Sequence, residues 1–379
     1  MKSIIGLTLA ISTFVVFLFA DFRISLDYGA YYTFLNKLSS FSIIDIKNNL
    51  FDNFPYVVDD TLTIGQSNWE FGFVILAYPL TILFGPQITY ALIASFSISL
   101  KVIAFNRLNI NTIIMTCLLI ISITLFEANA LRAGLALSVY LYGLSIHKDD
   151  HKKIIIYSVL ACLFHISLVI FIFLHLFGYL LNKIEYKNTL LFMTAVVAGF
   201  ILINLSEVVL FAIYFLGANI IAEKLLSYFT ISEILLTNQA TGLNTVSLIF
   251  LSLAIISGIN LSLFKQRGTS LIIFGFLLAG LGFAINTFSG NFYIIADRLI
   301  QPLLYSTVMV IFASTIDGQL KYSIDIETID LKYIIRDGTH YFLIILMAYY
   351  TYSLLYVYPQ SNFFSIFTGY NDLYVPPAF

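Results

Sequence analysis

The sequence predicts an all-α fold whose helices mostly cross a membrane, and three observations support this. Of the 379 residues, 60% are hydrophobic and only 11% are charged, whereas a soluble protein carries about 25% charged residues. The mean hydropathy is +0.93. The apolar residues form long runs, and a helix needs roughly 17–25 of them to cross the hydrocarbon core. Because backbone groups in lipid must pair within their own segment, such runs indicate helices and not barrel strands.

This composition also excludes several other classes of protein. A soluble enzyme needs more charge to coat its surface, and a disordered chain or a secreted disulfide scaffold needs far less apolar sequence. The net charge of −2 gives no electrostatic footprint for nucleic acid. Cys117 and Cys162 both lie inside apolar runs and are interpreted as small core residues.

About eleven apolar runs are interpreted as membrane crossings. The first, Ile4–Ala20, is interpreted as a retained helix and not a signal peptide, because Leu18 and Ala20 make a poor cleavage site. The other runs, in chain order, are Gln87–Phe105, Asn111–Phe126, Leu131–Ile146, Ile154–Leu180, Thr189–Ile203, Ser206–Ala222, Asn244–Phe264, Thr269–Thr287, Phe292–Ile316 and Tyr341–Tyr358.

The basic loops orient these helices, because Lys and Arg concentrate in short cytoplasmic loops. We therefore predict that three turns are cytoplasmic: those at 147–153 and 265–267, and the one near Leu108, which has Lys101 and Arg107. The turn at 127–131 then lies outside. Three further pieces also fall outside, at about 21–70, 223–243 and 359–379, while about 317–340 falls inside. With no internal repeat or linker, residues 1–379 are interpreted as a single polytopic membrane domain.

One short run does not fit as a crossing. Phe71–Phe84 has 14 residues and ends at Gly85-Pro86, and a full crossing there would move the basic turn near Arg107 outside. We predict a re-entrant or interfacial helix at the outer side, where it could line a cavity. Amphipathic outer-face helices are expected beside it, one of them capped by Asp27 and carrying an aromatic face.

Charged residues within apolar runs are expensive, about 2.5–3.5 kcal/mol at mid-bilayer on insertion scales, and therefore indicate function. Arg132 begins one helix on the outer side, and Arg298 lies on the outer half of another, next to Asp297. Snorkelling of Arg132 and a structural Asp297–Arg298 ion pair are the alternatives. Their shared location favours an anionic ligand, because a planar guanidinium matches phosphate oxygens.

Histidines give a weaker signal. His165 lies near the middle of the run Ile154–Leu180, where it could act as a base, an acid or a phosphate donor, or serve only as a packing residue. His147 and His151 have the i, i+4 spacing of a helical metal pair, but the short basic turn favours a solvated loop. The sequence has no Walker loop or dinucleotide turn, so no cofactor and no metal are expected.

Several short motifs follow one another along the chain. They are Asp27-Tyr-Gly-Ala-Tyr31, Trp69-Glu-Phe-Gly-Phe73, Leu131-Arg-Ala-Gly-Leu-Ala136, a basic turn, Phe164-His-Ile-Ser-Leu168, Lys224-Leu-Leu-Ser-Tyr228 and Arg298-Leu. In this order they form a pattern that resembles a known family, the EpsG-type polysaccharide polymerases, which are relatives of the Wzy O-antigen polymerases. The resemblance covers about residues 20–310.

This resemblance implies a GT-C-like glycosyltransferase in the bacterial inner membrane. Such an enzyme transfers a growing glycan from undecaprenyl pyrophosphate to a sugar hydroxyl on another lipid-linked repeat unit, at the periplasmic or outer face. Its partners would be undecaprenyl-pyrophosphate-linked repeat units, membrane lipid and a polysaccharide chain-length regulator. Neither metal nor nucleotide is required, because the leaving pyrophosphate carries the activation and arginines can stabilise its charge.

The candidate site residues take the following roles in this hypothesis. Arg132 and Arg298 bind the pyrophosphate, and His165 assists the phosphate or orients a partner. Asp27 or Glu70 is the general base, because a carboxylate in a partly dry cavity can have a raised pKa. Tyr31 stacks on sugar faces.

Two alternative functions remain open from the sequence. A lipid-linked oligosaccharide flippase would also need a cationic cavity, although the matched halves common in transporters are not seen here. An O-antigen ligase is closer in chemistry, but it typically has a larger outer loop than residues 223–243 provide.

Overall fold

A computed structural model describes most of the first half of the chain and parts of the second. The described residues are 2–19, 26–41, 54–59, 62–67, 70–128, 130–147, 150–181, 245–263, 275, 277–284, 302–308, 341–342 and 344–352. Several predicted features lie outside the described residues. They are the crossings Thr189–Ile203 and Ser206–Ala222, Arg298, the outer stretch 223–243, the cytoplasmic loop and the outer tail.

The chain divides into two compact units. The first contains Met1–Lys148, Lys153–Ile172 and Leu343–Phe379, and the second contains Asp149–Lys152 and Phe173–Phe342. The interpretation of the chain as one polytopic domain stays a prediction.

The elements run in a simple order. The described part begins with helices α1 (Lys2–Phe19) and α2 (Leu26–Ser39), strands β1 (Phe54–Asp59) and β2 (Leu62–Ser67), and helix α3 (Phe71–Arg107). It continues with α4 (Thr112–Ser122), a π-helical turn (Ile123–Glu127), α5 (Leu131–Ile146), α6 (His151–Cys162), a 3-10 turn (Ile166–Leu168), α7 (Val169–Leu181) and α8 (Thr245–Leu263).

The described parts of the apolar runs are helical, apart from a break within Ile154–Leu180, and the all-α class has an exception in one hairpin. Strands β1 and β2 form an antiparallel hairpin in which Phe54 is opposite Ser67 and Asp59 is opposite Leu62. The hairpin lies in the outer stretch 21–70, for which the sequence predicted only a helix. The sequence has short β-branched segments here, Val57-Val58 and Thr61-Leu-Thr-Ile64, which favour strands. The prediction did not include them because it rested on long apolar runs.

Among the described residues, only α3 is both long and apolar enough to cross a bilayer. The shorter apolar helices are Ile4–Phe19, Thr112–Glu127, Leu131–Ile146, Ile166–Leu176 and Val246–Ile255, so the count of about eleven crossings stays a prediction. On α1 the large apolar side chains Ile4, Leu7, Ile11 and Val15 are exposed. Their spacing places them along one helical face, which suits contact with lipid.

Helix α3 joins two runs that the sequence treated separately. It has 37 residues, and only Gly85 leaves helical geometry, with φ 78° and ψ 168°. Pro86 explains the position of the break, because proline disfavours the helical region for the residue before it and glycine tolerates positive φ. The predicted end of the first run at Gly85 is therefore confirmed, but no loop follows it. Whether Phe71–Phe84 is re-entrant or interfacial stays a prediction.

Helix α3 is also the element on which the first unit is assembled. Helices α1, α2 and α5 each pack along it. A straight helix of this length would measure about 55 Å at 1.5 Å per residue, well over the roughly 30 Å of a hydrocarbon core. Glu70 immediately precedes the half of α3 before Gly85, and Lys101 lies in the half after it.

Lys101 corrects one part of the predicted topology. It was counted with the basic turn near Leu108, but its side chain is 0% exposed and its Nζ atom lies 2.7 Å from Oε1 of Glu127, which is also 0% exposed. Lys101 is therefore a buried ion-pair partner and supplies no loop charge. Removing one member of such a pair leaves a buried charge unpaired and costs about 3–5 kcal/mol, whereas replacing both is often neutral.

We expect Gly85→Ala to destabilise the protein by about 1–3 kcal/mol, because its backbone conformation is open almost only to glycine. No atom lies within 4 Å of the position that a Cβ would take, so the loss would come from backbone strain and not from a clash. Thermal unfolding in detergent measures it. Leu83→Ala is the control, since Leu83 is 71% exposed and should change little. Equal midpoints for Gly85→Ala and the wild type would contradict this explanation of the break.

Candidate functional site

Four residues from separate parts of the chain meet in the first unit, and we call them the Glu70 cluster: Tyr31, Glu70, Arg132 and His165. Tyr31 comes from α2, Glu70 caps the start of α3, Arg132 is the second residue of α5, and His165 lies between α6 and α7. The sequence analysis selected all four, and the structure brings them together.

The Glu70 carboxylate joins the other charged members. Its Oε1 atom lies 3.0 Å from Nδ1 of His165, and its Oε2 atom accepts a hydrogen bond from Nη1 of Arg132. The side chains of Glu70, Arg132 and His165 are only 15%, 18% and 15% exposed. An ionised carboxylate can only accept hydrogen bonds, so Nδ1 of His165 carries the hydrogen and donates it.

The surroundings keep Glu70 ionised. Burial alone would raise its pKa, but the hydrogen bond from His165, the positive charge of Arg132 and the charge of a protonated His165 outweigh burial and lower the pKa from 4.5 to about 2. The sequence analysis expected a raised pKa for a carboxylate acting as a base. For Glu70 this expectation is wrong, because the buried carboxylate has a hydrogen-bond donor and a cation beside it.

Tyr31 supports Arg132 from the other side. The backbone N–H and the Nε atom of Arg132 donate to the Tyr31 hydroxyl over 3.2 and 3.3 Å. The Tyr31 ring is 6% exposed and makes edge contacts with Phe73 and Tyr90, each with ring centroids 5.9 Å apart. The prediction that Tyr31 stacks on a sugar conflicts with this burial, since its ring faces are covered by protein. Its hydroxyl orients the guanidinium instead.

His165 lies at a break in a segment that was predicted to be one helix. It has extended backbone, with φ −159° and ψ 119°, between the end of α6 and the 3-10 turn. The prediction of an unbroken helix over Ile154–Leu180 is therefore wrong. Apolar periodicity continues through the break and hides it, because both flanking helices bury apolar side chains.

A tight backbone contact holds this break against Glu70. The Gly72 N–H donates to the Leu163 carbonyl over 2.9 Å, and a Cβ on Gly72 would lie 2.8 Å from that oxygen. Only glycine permits this approach. The contact places the start of α3 beside the α6–α7 break, and it thereby brings Glu70 within hydrogen-bonding distance of His165.

The remaining predicted site residues have different outcomes. Asp27 lies in the first turn of α2, but its side chain is outside the description. Arg298 is outside the described residues altogether, so the convergence of two arginines on one ligand stays a prediction.

Histidines away from the cluster have partners that the sequence did not indicate. In the second unit, His151 is buried and its Nδ1 atom lies 2.9 Å from Nδ1 of buried His175. The solvated-loop interpretation is therefore wrong for His151. In the first unit, the His147 ring packs 5.6 Å from that of Tyr157.

The sequence did not indicate a group of buried polar residues near the Glu70 cluster, Tyr90, Lys101 and Glu127. Tyr90 donates its hydroxyl to the Glu127 carbonyl over 2.6 Å, and Glu127 pairs with Lys101. A signal for Lys101 was present, since it is a charge within the apolar run Gln87–Phe105. It was assigned to a turn because Arg107 follows six residues later.

Comparison with known proteins identifies the class to which this fold and site belong. A family model described as the EpsG family matches residues 6–365. The chain belongs to the EpsG family, a family of membrane proteins, which confirms the resemblance. No curated protein and no solved structure matches the chain.

We expect the stability gap between the wild type and Glu70→Gln to narrow as the pH falls. The pKa of Glu70 is lowered to about 2 in the folded protein, so its contribution is complete above about pH 4.5 and is lost as the pH falls toward 2. Thermal unfolding in detergent between pH 7 and 3 measures the gap, which should shrink by on the order of 2 kcal/mol. Titratable groups that do not contact Glu70 titrate in both proteins and cancel. A gap independent of pH would contradict the ion pairing.

Proposed function

We propose that this protein is a polysaccharide polymerase of the bacterial inner membrane. It transfers a growing glycan from undecaprenyl pyrophosphate to a hydroxyl of a lipid-linked repeat unit, at the periplasmic or outer face. Membership of the EpsG family suggests a polymerase-like membrane protein. The observation that carries the proposal is the Glu70 carboxylate bridging Arg132 and His165 in a largely buried cluster.

The proposed reaction makes two demands on the protein. The bond between the sugar anomeric carbon and the pyrophosphate oxygen breaks, and a bond from the acceptor oxygen to that carbon forms. The acceptor hydroxyl loses its proton to a base, and undecaprenyl pyrophosphate leaves with the bonding electron pair. A proton acceptor and a cation are therefore needed at one place, and no redox partner is required.

His165 is the proton acceptor in this proposal, in place of Glu70 or Asp27. The Glu70 carboxylate accepts the Nδ1 hydrogen of His165, so in the neutral ring Nε2 is the nitrogen that carries the lone pair. A carboxylate of pKa about 2 is too weak a base to take a proton from a sugar hydroxyl near neutral pH. Glu70 instead holds the tautomer and stabilises the imidazolium that forms, as the acid does in a serine–histidine–acid triad.

Arg132 is the cation that receives the pyrophosphate, and Arg298 joins it as the second cation expected from the sequence. The guanidinium of Arg132 already binds a carboxylate, and the same fork geometry suits phosphate oxygens. A phosphate that draws Arg132 away from Glu70 leaves the carboxylate charge to act on His165 alone. Binding of the donor would then strengthen the base, because the nearest competing cation has moved.

The remaining parts of the proposal follow from the family resemblance. The donor carries its own activation, so the transfer proceeds without metal or nucleotide. Repeat units linked to undecaprenyl pyrophosphate are the substrates, membrane lipid surrounds the chain, and a chain-length regulator is the expected protein partner.

We expect Arg132→Ala to abolish polymer in a strain that lacks the native gene, leaving single repeat units at the surface. Loss of a cation that stabilises a leaving group costs about 10²–10³-fold in rate. Arg132→Lys should restore only a small part, because lysine lacks the planar fork, and Arg298→Ala should shorten the polymer. Polysaccharide gels at matched membrane levels measure chain length.

Arg107→Ala is the control for this series, since Arg107 is exposed and packs over the Tyr142 ring. It should give a full ladder. Wild-type ladders from Arg132→Ala and Arg298→Ala would sink the assignment of both arginines. A surface with no repeat units at all would indicate a flippase, and normal polymer that is not joined to its final acceptor would indicate a ligase.

We expect His165→Gln to reduce the rate at least about 100-fold and to remove the fall in rate toward acidic pH. Asp27→Asn should keep that fall, because in this proposal Asp27 takes no proton. Purified protein supplied with lipid-linked repeat units, without nucleotide or metal, gives the rates. If Asp27→Asn removes the acidic limb and His165→Gln keeps it, the base is Asp27 and not His165.

A further inference from the structure

A second charged cluster is linked to the Glu70 cluster through Tyr90. We call it the Lys101 network, and its members are Ser97, Lys101, Ser122 and Glu127. Oε1 of Glu127 accepts hydrogen bonds from Ser97 Oγ and Lys101 Nζ, both at 2.7 Å, and Oε2 accepts from Ser122 Oγ at 2.8 Å. All four side chains are fully buried. The carboxylate therefore ties α3 to α4 and to the π-helical turn.

Stability alone is a poor reason for such a network. Charges removed from water lose as much in hydration as they gain from each other, and apolar residues of similar volume often do as well. The best attested use of a buried ion pair is to select one arrangement among several similar packings. The arrangement selected here concerns the short connection that leads from Glu127 to Arg132.

The first physical link to Arg132 runs along the chain. Glu127 ends the π-helical turn, and π-helical turns are frequent at functional sites. The Ala130 N–H then donates to the Phe126 carbonyl over 2.6 Å. In α5, a Cβ added to Gly134 would lie 2.9 Å from Oε1 of Glu127. The first turn of α5, which carries Arg132, is therefore seated directly on the Glu127 carboxylate.

The second link runs through two aromatic rings. The Tyr90 hydroxyl donates to the Glu127 carbonyl over 2.6 Å. Its ring makes an edge contact with Tyr31, and the Tyr31 hydroxyl accepts the backbone N–H and Nε of Arg132. A displacement of Glu127 would therefore reach Arg132 from two directions, along the chain and through Tyr31.

We propose that the Lys101 network is a positioning network that holds the Arg132 guanidinium in the orientation that binds the pyrophosphate. The inference rests on the proposed function, since it assigns Arg132 a phosphate ligand. Lys101 and Glu127 touch no substrate. They act through Arg132, and the property they govern is the affinity for the anion.

The test uses the full-length protein in detergent and inorganic pyrophosphate as the probe. The chain has one tryptophan, Trp69, next to Glu70 in the sequence, so its emission reports on this neighbourhood without interference. Lys101→Met/Glu127→Leu removes both charges together and leaves neither charge unpaired. We expect it to weaken pyrophosphate binding at least about tenfold while the thermal midpoint stays close to that of the wild type.

Two further variants frame this result. Glu127→Asp keeps the counter-charge of Lys101 and draws the carboxylate back by one methylene, so we expect a smaller loss of affinity from it. It also supplies the measurement if the double variant fails to fold. Ser145→Ala is the control, because Ser145 lies thirteen residues beyond Arg132 on the same helix, about 20 Å away, and it should bind as the wild type does.

The outcomes separate this inference from the proposed function. Saturable binding by the wild type that is lost in Arg132→Ala supports the anion site. If the folded double variant, or Glu127→Asp in its place, then binds like the wild type, the positioning network is overturned and the anion site stands. If the wild type does not bind pyrophosphate, or if Arg132→Ala binds equally well, both the anion site and the network are overturned.

Discussion

The Glu70 carboxylate is the interaction on which the candidate site depends, because it connects Arg132 with His165. Burial of a charged Arg132 or a charged His165 in an apolar bundle would be unfavourable without a counter-charge. The carboxylate in turn depends on a backbone contact, since Gly72 must come close enough to donate to Leu163. A glycine at the start of one helix and a break between two others are thus the structural conditions for the charge arrangement.

The two buried ion pairs differ in a way that suits different work. The Glu70–Arg132 pair is 15–18% exposed, so a diffusing anion can reach it and compete for the guanidinium. The Lys101–Glu127 pair is fully enclosed and cannot exchange partners without opening the bundle. In the proposed function the first pair exchanges contacts when the pyrophosphate binds, and in the further inference the second pair holds the geometry of Arg132. The two pairs are linked through Tyr90, which donates to the Glu127 carbonyl and contacts Tyr31, the partner of Arg132.

Much of the described fold could be predicted from hydrophobic run length. Leu131–Ile146 has the predicted bounds, and the break at Gly85 follows from the proline after it. The rest depends on tertiary contacts that no local pattern records. The extended backbone at His165 requires the Gly72 contact from a distant segment. Lys101 looked like a loop charge until its partner, 26 residues away, was known. Glu70, Arg132 and His165 could be selected because polar groups in apolar sequence need a reason, but their convergence could not be predicted.

The enclosed pair also limits how this lineage can change. Replacement of either Lys101 or Glu127 alone abandons a charge inside a tightly packed interior, while replacement of both does not. A change from the ion pair to an apolar pair by single substitutions would therefore pass through a variant with less folded protein. Lys101 and Glu127 are therefore expected to change together or not at all.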